Sequence, residues 1–226
     1  MYVCLFDIDG TLLASGGAGK LALERGLADE YGRPEAIEHL RLSGRTDRAI
    51  VRDLLEAAGV GDSVDHRLRL LEAYLRHLPD CLALAPGQVL PGVNELITRL
   101  KARSDVVLGL LTGNIRRGAS IKLGHFGLEG HFSFGGFGDD HLHREDVARE
   151  ALSAVRSHLG WEPPGENIWV IGDTPLDVLC ARAINARAVA VCTGWHPREE
   201  LASCQPDYLL DDLLEPTFVE DMMAGA

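Results

Sequence analysis

Short apolar runs, each cut off by a polar residue, punctuate this chain. The first spans residues 2–6 and stops at Asp7. Others span 106–111, 168–171, 188–191 and 208–210, stopping at Thr112-Gly113-Asn114, Gly172-Asp173, Thr193-Gly194 and Asp211-Asp212. Such runs, apolar without alternation, predict strands covered on both faces. Between them apolar positions recur at helical spacing. Segment 91–103 places Val93, Leu96, Ile97 and Leu100 on one face behind Pro91. Segments 115–126, 144–159 and 175–184 read the same way. Strands alternating with helices predict right-handed crossovers and a parallel sheet.

The interval 15–85 breaks this alternation, with helical patterns at 20–31, 46–58 and 64–78 and no strand. The expected fold is therefore α/β, a Rossmann-like parallel sheet core (1–14 and 88–226) with an inserted helical cap (15–87). Gly16-Gly17 and Ala85-Pro86-Gly87 stand at its ends as candidate hinges. Trp161, Trp169 and Trp195 are expected to pack.

Composition narrows the functional classes. A net charge of −12 over 226 residues disfavours nucleic acid and anionic membranes as partners. Five cysteines without a CxxC spacing argue against a disulfide framework and a structural zinc site. Reduced thiols, no apolar stretch near the roughly 20 residues of a membrane span, and no signal peptide make the expected location cytoplasmic. The sequence carries no signal for an oligomeric state.

The strand ends carry the chemistry. In an open parallel sheet, ligands bind outside the carboxyl ends of the strands. Those ends offer Asp7, Thr112, Asn114 and Asp173, with Asp9 and Asp177 close behind. Carboxylates gathered in one crevice repel each other unless protons or a cation intervene. Oxygen ligands suit Mg2+, which is often shared between carboxylates and a substrate phosphate. The cluster thus predicts Mg2+ together with a small phosphorylated metabolite. The DxD spacing lets Asp7 attack phosphorus while Asp9 handles the leaving-group proton. Gly10 permits the turn, and Thr11 is expected to fix it by local hydrogen bonding.

The ordered segments Asp7-Ile8-Asp9-Gly10-Thr11, Leu111-Thr112-Gly113-Asn114 and Gly172-Asp173-Thr174-Pro175-Leu176-Asp177 resemble the motifs of the haloacid dehalogenase-like hydrolase superfamily. Along essentially its whole length the chain looks most like the phosphoglycolate-phosphatase-like branch with a helical cap. The resemblance implies that Asp7 is nucleophile and metal ligand. Asp9 would act as acid/base and give the metal its backbone carbonyl. Thr112 would hydrogen-bond the phosphoryl group, helped by the Gly113 or Asn114 amide. Asp173 would ligate Mg2+, and Asp177 would hold a metal-bound water or orient the shell. The family's usual lysine before the last motif is missing. Of the three lysines, Lys20, Lys101 and Lys122, the last lies roughly 12 Å of helix rise from Asn114. Arg144, opening the helix that should carry the cation, is assigned that role instead.

Other motifs carry less. Gly16-Gly17-Ala18-Gly19-Lys20 fails as a phosphate-cradling P-loop, because Ala14 and Leu21 stand where glycine and Ser/Thr are required. In Ser43-Gly44-Arg45-Thr46-Asp47, Thr46 is expected to cap a helix and Arg45 to reach substrate. His141 and His143 read as a polar loop rather than a transition-metal site, and Arg116 and Arg117 as a solvated helix face. The expected activity is a Mg2+-dependent phosphatase working through an aspartyl-phosphate. The alternatives are a phosphomutase of the same superfamily and a decayed binding or regulatory module.

Overall fold

The computed structural model describes residues 1–38 and 40–224. Its centre is a six-stranded sheet of β1 (Tyr2–Phe6), β4 (Val106–Leu111), β5 (Gly135–Gly136), β6 (Ile168–Gly172), β7 (Arg187–Val191) and β8 (Tyr208–Leu210). The order is β5-β4-β1-β6-β7-β8, and every pairing is parallel. From β1 the chain moves outward to β4 and β5, then returns to β6 beside β1. Strand order reverses there, so the loops leaving β1 and β6 part and open a crevice.

Each long strand serves two apolar layers, as its unbroken hydrophobicity requires. Tyr2, Cys4 and Phe6 of β1 join Trp169 and Ile171 of β6 under α4 (Val93–Lys101), α5 (Arg116–His125) and α9 (Phe218–Ala224). Val3 and Leu5 join Ile168 and Val170 on the other face, under α6 (Arg144–Leu159), α7 (Pro175–Ala183) and α8 (Arg198–Ser203).

The inserted layer holds α1 (Ala18–Tyr31), α2 (Asp47–Ala57) and α3 (Val64–Leu84), packed around a third apolar cluster. Its two ends are tied together by β2 (Leu13–Ala14) and β3 (Gln88–Val89), an antiparallel pair. Thr46 caps α2 as expected, its Oγ1 accepting the Ala49 N–H at 3.1 Å.

Some expectations need correction. The helix expected to stop at Leu78 continues through Pro79 to Leu84. Pro79 faces solvent, while Leu78, Cys81 and Leu82 continue the buried stripe across it. The strands β2, β3 and β5 were not expected, since two residues set no hydrophobic period. Trp169 is buried, but Trp161 is 48% exposed and Trp195 92% exposed, so neither belongs to a core. The five cysteines are free, and no described helix is long and apolar enough to cross a membrane.

Trp169 sits between Tyr208 and Phe218, at ring-centroid distances of 5.5 Å from each. Trp169→Ala empties that space on the strand that delivers Asp173. It is expected to cost about 3–5 kcal/mol of stability, read by urea denaturation.

Candidate active site

Asp7 follows β1 directly, its N–H bonded to the Ile171 carbonyl at 2.9 Å, which holds it against the end of β6. The chain then turns back, with Gly10 donating to Leu13 O at 2.8 Å. Gly10 has φ +88°, and a Cβ there would lie 2.3 Å from Asp173 Oδ2. Only glycine satisfies both the left-handed backbone and this close approach. Thr11 does more than fix the local turn. Its hydroxyl donates to Asp173 Oδ1 at 3.1 Å, joining the loop after β1 to the end of β6.

Asp7, Asp173 and Asp177 are buried, with ligand oxygens within 4.8 Å of one another. Burial pushes the Asp7 carboxyl up to about 7; Arg144 pulls it down, and Asp177 and Asp9 add to the rise. Burial, then Asp177 and Asp7, push Asp173 well above the usual carboxylate range. Asp177 opens α7 in a capping arrangement. Its Oδ2 accepts from Thr174 N at 3.0 Å and Thr174 Oγ1 at 2.8 Å, and its Oδ1 accepts from Arg144 Nη2 at 2.5 Å. Both Asp177 oxygens are thus engaged, whereas buried Asp7 Oδ1 accepts no hydrogen bond among the described residues.

Arg144 enters this cluster from the first turn of α6. Its Nη2 lies 3.6 Å from Asp7 Oδ1, and its Nη1 donates to Gly44 O at 3.2 Å. Burial disfavours its charge, but Asp177 and Asp7 more than offset that and raise its pKa.

The second cation is the one sequence reasoning missed. Lys122 is buried, and its Nζ donates to Asp9 Oδ2 at 2.5 Å and Asn114 Oδ1 at 2.6 Å. Placing it too far along the helix neglected that helical side chains lean back toward the N-terminus and that lysine is long. A signal was present: Ile115, Gly118, Ala119, Lys122 and Leu123 form the buried i, i+3, i+4, i+7, i+8 face of α5, and a lysine on such a face needs a partner.

Asp9 stands apart from the three clustered carboxylates and faces Lys122. Burial alone would raise it, but Lys122, together with hydrogen bonds from Lys122, Asn114 and Ser15, holds it below its ordinary value. Asn114 completes the network, its Nδ2 donating to Asp9 Oδ2 at 2.9 Å and Thr112 Oγ1 at 2.8 Å. Gly113 lies under the loop before α2; a Cβ there would sit 2.0 Å from Arg45 O. The Arg45 guanidinium turns away, pairing with Asp53 at 2.5 Å. Lys20 is exposed in α1. His141 contacts Glu150 at 2.9 Å and His143 is exposed. Arg116 and Arg117 are exposed as expected.

The profile of haloacid dehalogenase-like hydrolases matches residues 4–182. The chain belongs to the haloacid dehalogenase-like hydrolase family. It is 34% identical over 220 residues to a protein from Synechococcus elongatus named "Phosphoglycolate phosphatase", covering 95% of this chain and 96% of that one. It is 31% identical over 215 residues to "Phosphoglycolate phosphatase 1" of Pseudomonas aeruginosa, covering 92% and 76%. In fold it is similar to a crystal structure of a hydrolase from Pseudomonas syringae, with a TM-score of 0.73, 22% identity and 99% of each chain covered.

For this family member the donor set suits a hard divalent cation. It offers carboxylate oxygens only, two of its carboxyls hold protons unusually tightly, and Asp7 Oδ1 accepts no hydrogen bond among the described residues. With Asp7 raised to about 7, the metal-free protein keeps that proton at lower pH, and a cation must displace it. Apparent Mg2+ affinity is therefore expected to rise from about pH 5.5 to about pH 8, by up to about tenfold per unit below 7 for one displaced proton. Calorimetric titration in buffers of different ionisation enthalpy counts the protons released. An affinity independent of pH would contradict this account.

Proposed function

We propose that the chain is a Mg2+-dependent phosphomonoesterase that transfers the phosphoryl group of a small metabolite to Asp7 and then to water. The buried Asp7–Asp173–Asp177 cluster, set beside an Asp9 held ionised by Lys122, carries this reading. Family membership and the likeness to proteins named phosphoglycolate phosphatase support a phosphatase and make a short phosphorylated carboxylic acid the first substrate to try.

Asp7 and Asp173, with the Asp9 backbone carbonyl, would hold Mg2+, which when bound neutralises carboxylate and phosphoryl charge, and Asp177, engaged by Arg144 and Thr174, would hold a metal-bound water or orient that shell. The Asp7 carboxylate attacks phosphorus, and the phosphorus–oxygen bond to the leaving group breaks. Asp9 delivers a proton to the leaving oxygen, then takes one from the water that cleaves the aspartyl-phosphate. Resting Asp9 is ionised, so it must acquire its proton as substrate enters beside Lys122. Thr112, with the Gly113 or Asn114 amide, and Arg144 would meet the phosphoryl oxygens. Residues 15–87 would act as a cap, hinged near Gly16-Gly17 and Ala85-Pro86-Gly87, that closes to exclude water. Arg45 would reach substrate only after leaving Asp53.

Turnover of p-nitrophenyl phosphate, then of phosphoglycolate, tests the reading. Asp7→Asn is expected to lower kcat by at least about 10³-fold and Asp9→Asn by about 10²–10⁴-fold, with melting temperatures retained. Excess EDTA should abolish turnover, and Mg2+ should restore it. Equal rates for wild type, Asp7→Asn and the EDTA-treated enzyme would overturn the mechanism.

Lys122→Met removes the cation that lowers Asp9. The Asp9 carboxyl, followed by carboxyl-carbon NMR of the metal-free protein, should then titrate at higher pH, because it would hold its proton more tightly. An Asp9 titration that stays in place would show that Lys122 does not set it.

A further inference from the structure

Asp47, the first residue of α2, grips the phosphate-facing segment from both sides. Its backbone N–H donates to Gly113 O at 2.7 Å. Its Oδ2 accepts the Ile115 N–H at 2.8 Å. Gly113 and Ile115 flank Asn114, whose side chain bonds Thr112, Asp9 and Lys122. A residue of the inserted helical layer thus pins the turn that joins β4 to α5.

The N-terminus of α5 needs this carboxylate. Its N-cap is Ile115, which has no side-chain acceptor, and its first turn carries Arg116 and Arg117 with no acidic residue. Cations there oppose the helix dipole, and the first amides lack intrahelical partners. Asp139 Oδ2 accepts from Arg116 N at 2.9 Å, from the sheet side. Asp47 supplies the other acceptor, from the inserted layer. Burial pushes its carboxyl up to about 6, against the pull of Lys122 and the Ile115 amide, while Asp9 and Asp139 add to the rise. Holding a charge there is costly, unlike a capping carboxylate in water.

The neighbouring contacts belong to the same docked loop. Arg48 N donates to Gly138 O at 3.3 Å, Thr46 Oγ1 to Leu142 O at 3.4 Å, and Arg144 Nη1 to Gly44 O at 3.2 Å. Among these, the Asp47 contacts are the ones that reach both flanks of Asn114.

From this geometry we infer that Asp47 is a positioning residue: it caps α5 from the inserted layer, so that the Gly113–Asn114 amides and Lys122 are aligned only while that layer is docked. The inference deepens the phosphatase reading above and rests on it. Asp47 itself touches none of the proposed reacting groups. It acts through α5, and docking of the layer and readiness of the site become one event.

Three variants separate position from charge. Asp47→Asn keeps an acceptor oxygen in place without the charge. Asp47→Glu keeps the charge but moves the oxygens by one methylene. Asp47→Ala removes both. With p-nitrophenyl phosphate and Mg2+, Asp47→Ala and Asp47→Glu are expected to lose about tenfold or more in kcat, with KM changed less than about threefold. Asp47→Asn should stay within about threefold of wild type. Amide exchange at Ile115, measured without substrate, should quicken in Asp47→Ala and Asp47→Glu and stay slow in Asp47→Asn. If Asp47→Ala fails to fold, the Asp47→Glu and Asp47→Asn pair decides. Wild-type kcat in Asp47→Glu, equal losses in all folded variants, or unchanged Ile115 exchange in Asp47→Glu would each overturn the inference. A wild-type enzyme with no phosphatase activity would instead sink the functional reading, and Ile115 exchange would still judge the Asp47 contact.

Discussion

Mutual repulsion among Asp7, Asp173 and Asp177 is the constraint around which this molecule is arranged. Three buried carboxyls with ligand atoms within 4.8 Å cannot all carry bare charge in a low-dielectric interior. The surroundings answer that cost residue by residue. Arg144 lies against Asp177 and Asp7, Thr11 and Thr174 donate hydroxyls to Asp173 and Asp177, and Gly10 lets the backbone pass beside Asp173. What these groups leave uncompensated appears as tightly held protons on Asp7 and Asp173. A divalent cation would release them.

The two buried cations divide the acidic residues into two sets. Arg144 belongs to the three clustered carboxylates, and Lys122 belongs to Asp9. Burial pushes Asp7 up against the pull of Arg144, while Lys122 overcomes burial and holds Asp9 down, although the two are only two residues apart in sequence. The proposed nucleophile and the proposed acid/base are thus driven in opposite directions. The parallel sheet makes this possible, because the ends of β1, β4 and β6 share one edge, and each loop brings its polar groups there from a different part of the chain.

The inserted helices have a core of their own and meet the sheet edge through the loop before α2. That loop lays its backbone on Gly113, receives Arg144 at Gly44, and grips the start of α5 with Asp47. Ile115 packs in the inserted layer's apolar cluster while its N–H is capped by Asp47. The same residue therefore couples the two layers by apolar packing and by a hydrogen bond.

Much of this was legible in the chain itself. Unbroken apolar runs determined the strands β1, β4, β6, β7 and β8, helical spacing determined the helices α1 to α7 but not α8 and α9, and polar residues at strand ends marked Asp7, Asp9, Thr112, Asn114, Asp173 and Asp177. These signals are local, because they depend on the face of a strand or helix that a residue occupies and on its immediate neighbours along the chain. Tertiary structure alone decided which distant side chains complete the site. It brought Lys122 back along its helix to Asp9, sent the Thr11 hydroxyl to Asp173, turned Arg45 toward Asp53 and left Trp195 in solvent. It also made Asp47 the cap of a helix 68 residues away. Such contacts depend on side-chain length and direction and on how whole layers pack. A hydrophobic period records which face is buried, not which neighbour that face will meet.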